Sequence, residues 1–151
     1  MSKSTFVYVT YIRTTSAKLW QALTDTLMIR QYWFDSIVEC DWKQGSPWKK
    51  ARKDGSLTDS GEIQEIQPPR RIAIRWQCEW KPELKAEGPS RCIMELEPVD
   101  NAVRLTVTHE MDRPESKFIA AASVGWSMVL SNLKSLLETG EVALTTPTGS
   151  A

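Results

Sequence analysis

The chain of 151 residues carries 19 Lys and Arg against 19 Asp and Glu, with 41% hydrophobic and 25% charged residues. This length suits a single domain with its own core, and the composition speaks against disordered, collagen-like and coiled-coil architectures. A formal net charge of zero argues against a polyanion binder, which needs surplus Lys and Arg to displace phosphate counterions, so no nucleic-acid partner is expected. The apolar runs are only a few residues long and the N-terminus lacks a signal-peptide apolar region, so the sequence implies no membrane partner and a cytoplasmic location. Cys40, Cys78 and Cys92 form no CxxC pair and the chain has one histidine. A disulfide framework and a structural metal site are therefore not expected, and the thiols read as small apolar residues; with no nucleotide-binding motif in the sequence, no cofactor is expected either.

From the N-terminus, TFVYVTYIR at 5–13 is rich in β-branched and aromatic residues and free of Gly and Pro, which predicts a strand. Both of its faces are apolar: Phe6, Tyr8, Thr10 and Ile12 on one, Val7, Val9 and Tyr11 on the other. Thr14, Thr15 and Ser16 offer N-cap hydroxyls to a short helix carrying Leu19, Trp20 and Leu23, and Asp25 and Thr26 cap a second through LMIRQYW. A period of two then sets in, predicting strands over 37–42, 47–52, 59–66, 71–80, 90–97 and 103–110. The clearest of them alternates Ile72, Ile74, Trp76, Cys78 and Trp80 with Arg71, Ala73, Arg75, Gln77 and Glu79. A long helix over 116–139 presents Ile119, Ala122, Trp126, Val129, Leu130 and Leu133 as one apolar stripe and stops at Gly140. The domain is placed at 1–140, and 141–151 reads as a flexible tail with little to bury.

The order strand, two helices, six strands and a long helix resembles the helix-grip fold of the START-like superfamily, also called SRPBCC or Bet v-like. Within it, the residues resemble the activator of Hsp90 ATPase homologue group, through that activator's C-terminal domain. The motifs are LWQALTD at 19–25, QYW at 31–33, GEIQEIQPPRRIAIRW at 61–76, LEP at 96–98, RLTVTHE at 104–110 and GWSMVLSNLKSLLETG at 125–140. The resemblance implies an α+β fold: a curved antiparallel sheet of about seven strands, in the order β-α-α-β-β-β-β-β-β-α, gripping the C-terminal helix. Between sheet and helix, relatives hold apolar ligands, perform catalysis, or simply pack a core, and fold alone does not choose.

On the period-two register, Trp76, Trp80, Met94, Leu96, Leu105 and His109 face the long helix, which answers with Ile119, Ala122 and Trp126, while Trp33 closes one end. These ten residues are the candidate binding site. If the rings leave a gap they line an apolar pocket; if they interdigitate they make a core. His109, the sole histidine, is the candidate polar handle or general base, or else a hydrogen-bonded residue at the sheet rim. Glu62 and Glu65 fall on opposite faces of a regular strand, as do His109 and Glu110, so no carboxylate pair suited to hydrolysis is visible. No GxSxG, P-loop or GxGxxG occurs. The KKARK run at 49–53 reads as a solvated strand end, with an acidic partner surface as its alternative.

Three functions remain open: capture of a hydrophobic or amphipathic small molecule, a protein-interaction module (chaperone co-factor or stress-response regulator), and a cyclase- or hydrolase-like enzyme using His109. In the activator that names the group a separate N-terminal domain also engages the chaperone, and the sequence shows no such domain, so direct ATPase stimulation is not expected. The outward Val7, Val9 and Tyr11 make a homodimer a further expectation.

Overall fold

The computed structural model describes residues 3–147. In chain order the elements are β1 (Ser4–Ile12), α1 (Ser16–Thr24), α2 (Thr26–Tyr32), β2 (Ile37–Cys40), β3 (Pro47–Ala51), β4 (Leu57–Gln67), β5 (Arg71–Cys78), α3 (Pro82–Lys85), β6 (Ser90–Val99), β7 (Ala102–Met111) and α4 (Lys117–Thr139). The seven strands form one sheet in the order β1-β7-β6-β5-β4-β3-β2, with each neighbouring pair antiparallel. β2 through β7 run as a meander, and β1 joins β7, leaving β1 and β2 as the edges. This is the α+β helix-grip fold, a curved open sheet with a long C-terminal helix.

Local chemistry sets the helix limits. The Thr15 side chain accepts from the Lys18 amide and the Asp25 side chain from the Met28 amide. Asp25 also ends α1, its own amide bonding Gln21 O, so one residue turns the chain between the two helices. Ser116 caps α4 through the Ile119 amide, and Gly140 closes it with φ 88°, a left-handed conformation that a residue without Cβ adopts freely. The inward face of the sheet, β2, β3 and β4 included, meets α1, α2 and α4 in one core, in which Ile12, Leu19, Ile63, Ile72, Leu105 and Leu133 are fully buried.

Four expectations change. β2 stops at Cys40 rather than at 42, because Trp42 takes φ 54° and its amide turns back to Cys40 Sγ. β5 stops at Cys78 rather than at 80, and the segment after it contains a turn of helix, α3. Pro82 starts that turn and Leu84 anchors it in the core. The register of β4 on β5 shifts between Ile63 and Glu65, so Glu62 opposes Arg75 and Glu65 opposes Ala73. Arg75 and Ala73 are two apart on β5, so the bulge places Glu62 and Glu65 on the same outer face, not on opposite faces. Finally, the packed chain continues past residue 140. Val142 rests on the core, the Leu144 amide donates to Asn132 Oδ1 at 2.7 Å, and Asn132 Nδ2 donates to Leu144 O at 2.8 Å. The rest of the expected tail, 148–151, lies outside the described residues.

Candidate functional site

A cavity of about 760 Å³ opens between the sheet and α4, bounded by Trp33, Trp76, Trp80, Phe118, Ala122 and Trp126, with charged residues of the β3–β4 turn at its mouth. Its volume comes from small side chains on one helix: Ala121, Ala122 and Gly125 line it, and a Cβ built on Gly125 would meet nothing within 4 Å. The rest of the lining is aromatic, with Trp126 of α4 meeting Trp33 and Trp76. Ring centroids lie 5.0 Å apart for Trp33 and Trp126, 6.2 Å for Trp33 and Trp76, and 5.9 Å for Trp76 and Trp126, the last pair edge-on. The rings therefore pack on one another and still leave space beside them.

Gly61 explains how two of the seven tryptophans close over the sheet. It stands between Trp48 on β3 and Trp76 on β5 in the cross-strand row, and their ring centroids are only 4.3 Å apart. A Cβ on Gly61 would sit 1.7 Å from Arg75 O, so the close approach of β4 and β5 here requires glycine.

Two buried polar groups organise the wall. Asp59 accepts from Trp76 Nε1 at 2.7 Å and pairs with Lys50 Nζ at 3.2 Å. Lys50 also donates to Thr58 Oγ1 at 3.0 Å and lies 5.4 Å from the centroid of Trp33. The second group is His109, with no exposed surface. Trp126 Nε1 donates to its Nδ1 at 3.0 Å, so Nδ1 is the acceptor and the ring proton sits on Nε2, which faces Ser90 Oγ at 2.8 Å. Ser90 in turn donates to Trp76 O. Burial lowers the pKa of His109 to about 3, so the ring is neutral at physiological pH.

Of the ten expected site residues, Trp33, Trp76, Trp80, His109, Ala122 and Trp126 bound the cavity. Met94 instead faces a separate void of about 20 Å³, and Leu96, Leu105 and Ile119 are buried in the core. Of the two sequence readings of His109, the hydrogen-bonded residue is the one the geometry matches, although it is fully buried and not at a rim. Both ring nitrogens are committed to protein partners, so it has neither a free hydrogen bond for a ligand nor a basic nitrogen for catalysis. The cyclase- or hydrolase-like reading loses its base.

Lys50, Thr58 and Asp59 are the residues that sequence reasoning missed. The signal was present: Lys50 shares period-two parity with the buried Trp48, and Asp59 shares it with the buried Ile63. The KKARK run concealed it, because a basic cluster reads as solvated. Among the described residues no group of His, Cys, Asp and Glu is arranged to hold a metal, and no helix is long and apolar enough to cross a membrane.

The model of a family described as "Activator of Hsp90 ATPase homolog 1-like protein" matches residues 13–138. The chain belongs to this family. Among solved structures, it resembles the Aha1 dimer from Colwellia psychrerythraea with TM-score 0.74 and 22% identity, over 91% of this chain and 98% of that one. PFC0360w, an Hsp90 activator from Plasmodium falciparum, matches with TM-score 0.72 and 22% identity, over 89% and 96% of the two chains. DynU16, a protein in the dynemicin biosynthetic locus, matches with TM-score 0.75 and 20% identity, over 91% of this chain and 48% of that one. At these identities the likeness establishes the fold, not a shared activity. A search of curated proteins finds no match to the sequence.

Proposed function

We propose that this member of the Hsp90-ATPase-activator-like family binds an apolar or amphipathic small molecule between its sheet and α4. The observation that carries the reading is the cavity of about 760 Å³ walled by four tryptophans, a volume in the range of small-molecule sites. A core that needed those rings only for packing would close around them, because interiors approach crystal density. The occurrence of the same fold in a protein of a biosynthetic locus is in keeping with it. The test is intrinsic tryptophan fluorescence during titration with a panel of fatty acids, flavonoids and other apolar compounds, with near-UV circular dichroism as control. Saturable quenching that is lost in a folded Ala122→Trp variant, whose indole fills the cavity, is the expected result. A flat response across the panel counts against the reading.

A second reading is self-association. β1 is an edge strand, and Val7, Val9 and Tyr11 are exposed by 54%, 49% and 49% along its outer face, an arrangement that a second copy would cover. A dimer is described for the Colwellia psychrerythraea protein of this fold. The expected result is a dimer mass by light scattering at tens of micromolar, reverting to monomer in Val7→Lys/Val9→Lys; a monomer mass for the unaltered chain rules it out. The chaperone reading suggested by the family's description is tested separately, by the ATPase rate of Hsp90 with saturating protein. An unchanged rate excludes it.

A further inference from the structure

The hydrogen-bonding state of the cavity wall points beyond its volume. Asp59 has one carboxylate oxygen on Lys50 and the other on Trp76. Thr58 Oγ1 accepts from Lys50 Nζ and donates to Lys50 O, and His109 has both nitrogens engaged. Lys50 differs. Its ammonium has three N–H donors: one goes to Thr58, Asp59 pairs with the charge at 3.2 Å, and Trp33 stands beside it as a ring face. The side chain is 13% exposed and lines the cavity, so a ligand seated there displaces water from the remaining donor. Ser36, also buried at the wall, adds a hydroxyl of either sense.

Charge then selects among acceptors. The inner pair Lys50–Asp59 is neutral as a unit. The exposed mouth sets Arg52 and Lys53 against Asp35 and Asp54, two of each sign. Asp54 is held by the Ser56 amide and hydroxyl, and Asp35 lies 3.7 Å from Arg30. A carboxylate brought to Lys50 would add a second negative charge beside Asp59 with no net positive charge in the cavity to compensate its desolvation. A ligand cation would meet the Lys50 ammonium. A neutral oxygen acceptor completes the ammonium without either penalty.

We infer that the cavity, on the binding function proposed above, takes uncharged amphipathic carbonyl compounds, the ligand's ketone, ester or amide oxygen accepting from Lys50 while its apolar body lies among Trp33, Trp76 and Trp126.

Three probes sharing one ring system separate the alternatives: 2-acetylnaphthalene, 2-ethylnaphthalene and sodium 2-naphthoate, titrated by calorimetry or by NMR shift at pH 7.5. The expected order places the ketone about tenfold or more above both the hydrocarbon and the anion, the scale of one charge-assisted hydrogen bond. Because Lys50→Met alone strands a buried carboxylate, the double variant Lys50→Met/Asp59→Asn removes both charges at similar volume. It is expected to erase the ketone's advantage and leave hydrocarbon affinity within about twofold. Naphthoate binding as tightly as the ketone, ketone and hydrocarbon binding equally, or an advantage that survives in the double variant each overturns the inference while the binding function stands. Failure of all three probes to bind overturns the inference, and a flat response of the wider apolar panel as well overturns the binding function with it.

Discussion

Trp126 fixes the tautomer of His109: the indole N–H of α4 donates to Nδ1 on β7 across 3.0 Å, so the ring proton must reside on Nε2 and point to Ser90. The helix and the sheet are thereby joined by a neutral imidazole inside the core, and the only histidine of the chain becomes a structural bolt.

Acid should loosen that bolt. Folded His109 has its pKa depressed from 6.5 to about 3 by burial, so the unfolded chain binds the extra proton first. Its contribution to stability is complete above pH 6.5 and is lost as pH falls from 6.5 toward 3, at up to about 1.4 kcal/mol per pH unit. Glu79, Glu87 and Glu138, whose carboxyls are lowered from 4.5, act at and below the ordinary carboxylate range, which leaves pH 6.5 to 5 diagnostic. Urea midpoints followed by circular dichroism should fall across that interval in the unaltered protein and stay level in His109→Asn. Equal slopes in both would show that this ring is not the titrating group.

Gly61 tolerates no Cβ. With Arg75 O at 1.7 Å from the added atom, Gly61→Ala forces β4 away from β5 beneath the Trp48–Trp76 pair. We expect a loss of about 1–3 kcal/mol in urea unfolding, the usual scale of overpacking, together with a changed near-UV spectrum. A loss below about 0.5 kcal/mol would refute the close approach.

Gly125 offers the opposite case. No atom lies within 4 Å of its added Cβ, and it sits inside α4. Gly125→Ala should therefore stabilise by about 0.5–1 kcal/mol through helix propensity. The bulkier Gly125→Leu, projecting into the cavity, should reduce probe affinity while remaining folded. Undiminished affinity in the leucine variant would place the ligand elsewhere.

Asn132 clamps the segment after α4. Its side chain, 1% exposed, both donates to and accepts from the Leu144 backbone, and Pro147 farther along lines the cavity. Asn132→Ala should cost about 1–3 kcal/mol, since it leaves part-buried backbone groups unpaired. It should also raise amide exchange at Leu144 selectively over that of β6 and β7. Exchange rising equally everywhere would mean global destabilisation instead.

Much of the fold was legible because it is written in local periodicity. The alternation of Ile72, Ile74 and Trp76, the spacing of Ile119, Trp126, Val129 and Leu133, and the caps at Asp25 and Gly140 depend on near neighbours alone, and the observed elements follow them. The bulge at Ile63/Glu65 was not legible, because a one-residue register shift is a property of two strands, not of one. Nor was the hold on residues 141–147, since ETGEVAL offers no periodic face and the grip comes from Asn132 in the body of α4.

The site divides along the same line. Strand parity alone placed Trp76 and Trp80 on the helix side of the sheet, with His109 inward beside them. Their partners are a matter of tertiary structure. Trp76 and Asp59 are 17 positions apart, Ser90 and His109 19, and His109 and Trp126 17, so each pairing required strand register and helix placement to be set first. The cavity is more remote still from sequence: it is the space left when every element has packed, and it exists here because Ala121, Ala122 and Gly125 stand where larger side chains would have closed it.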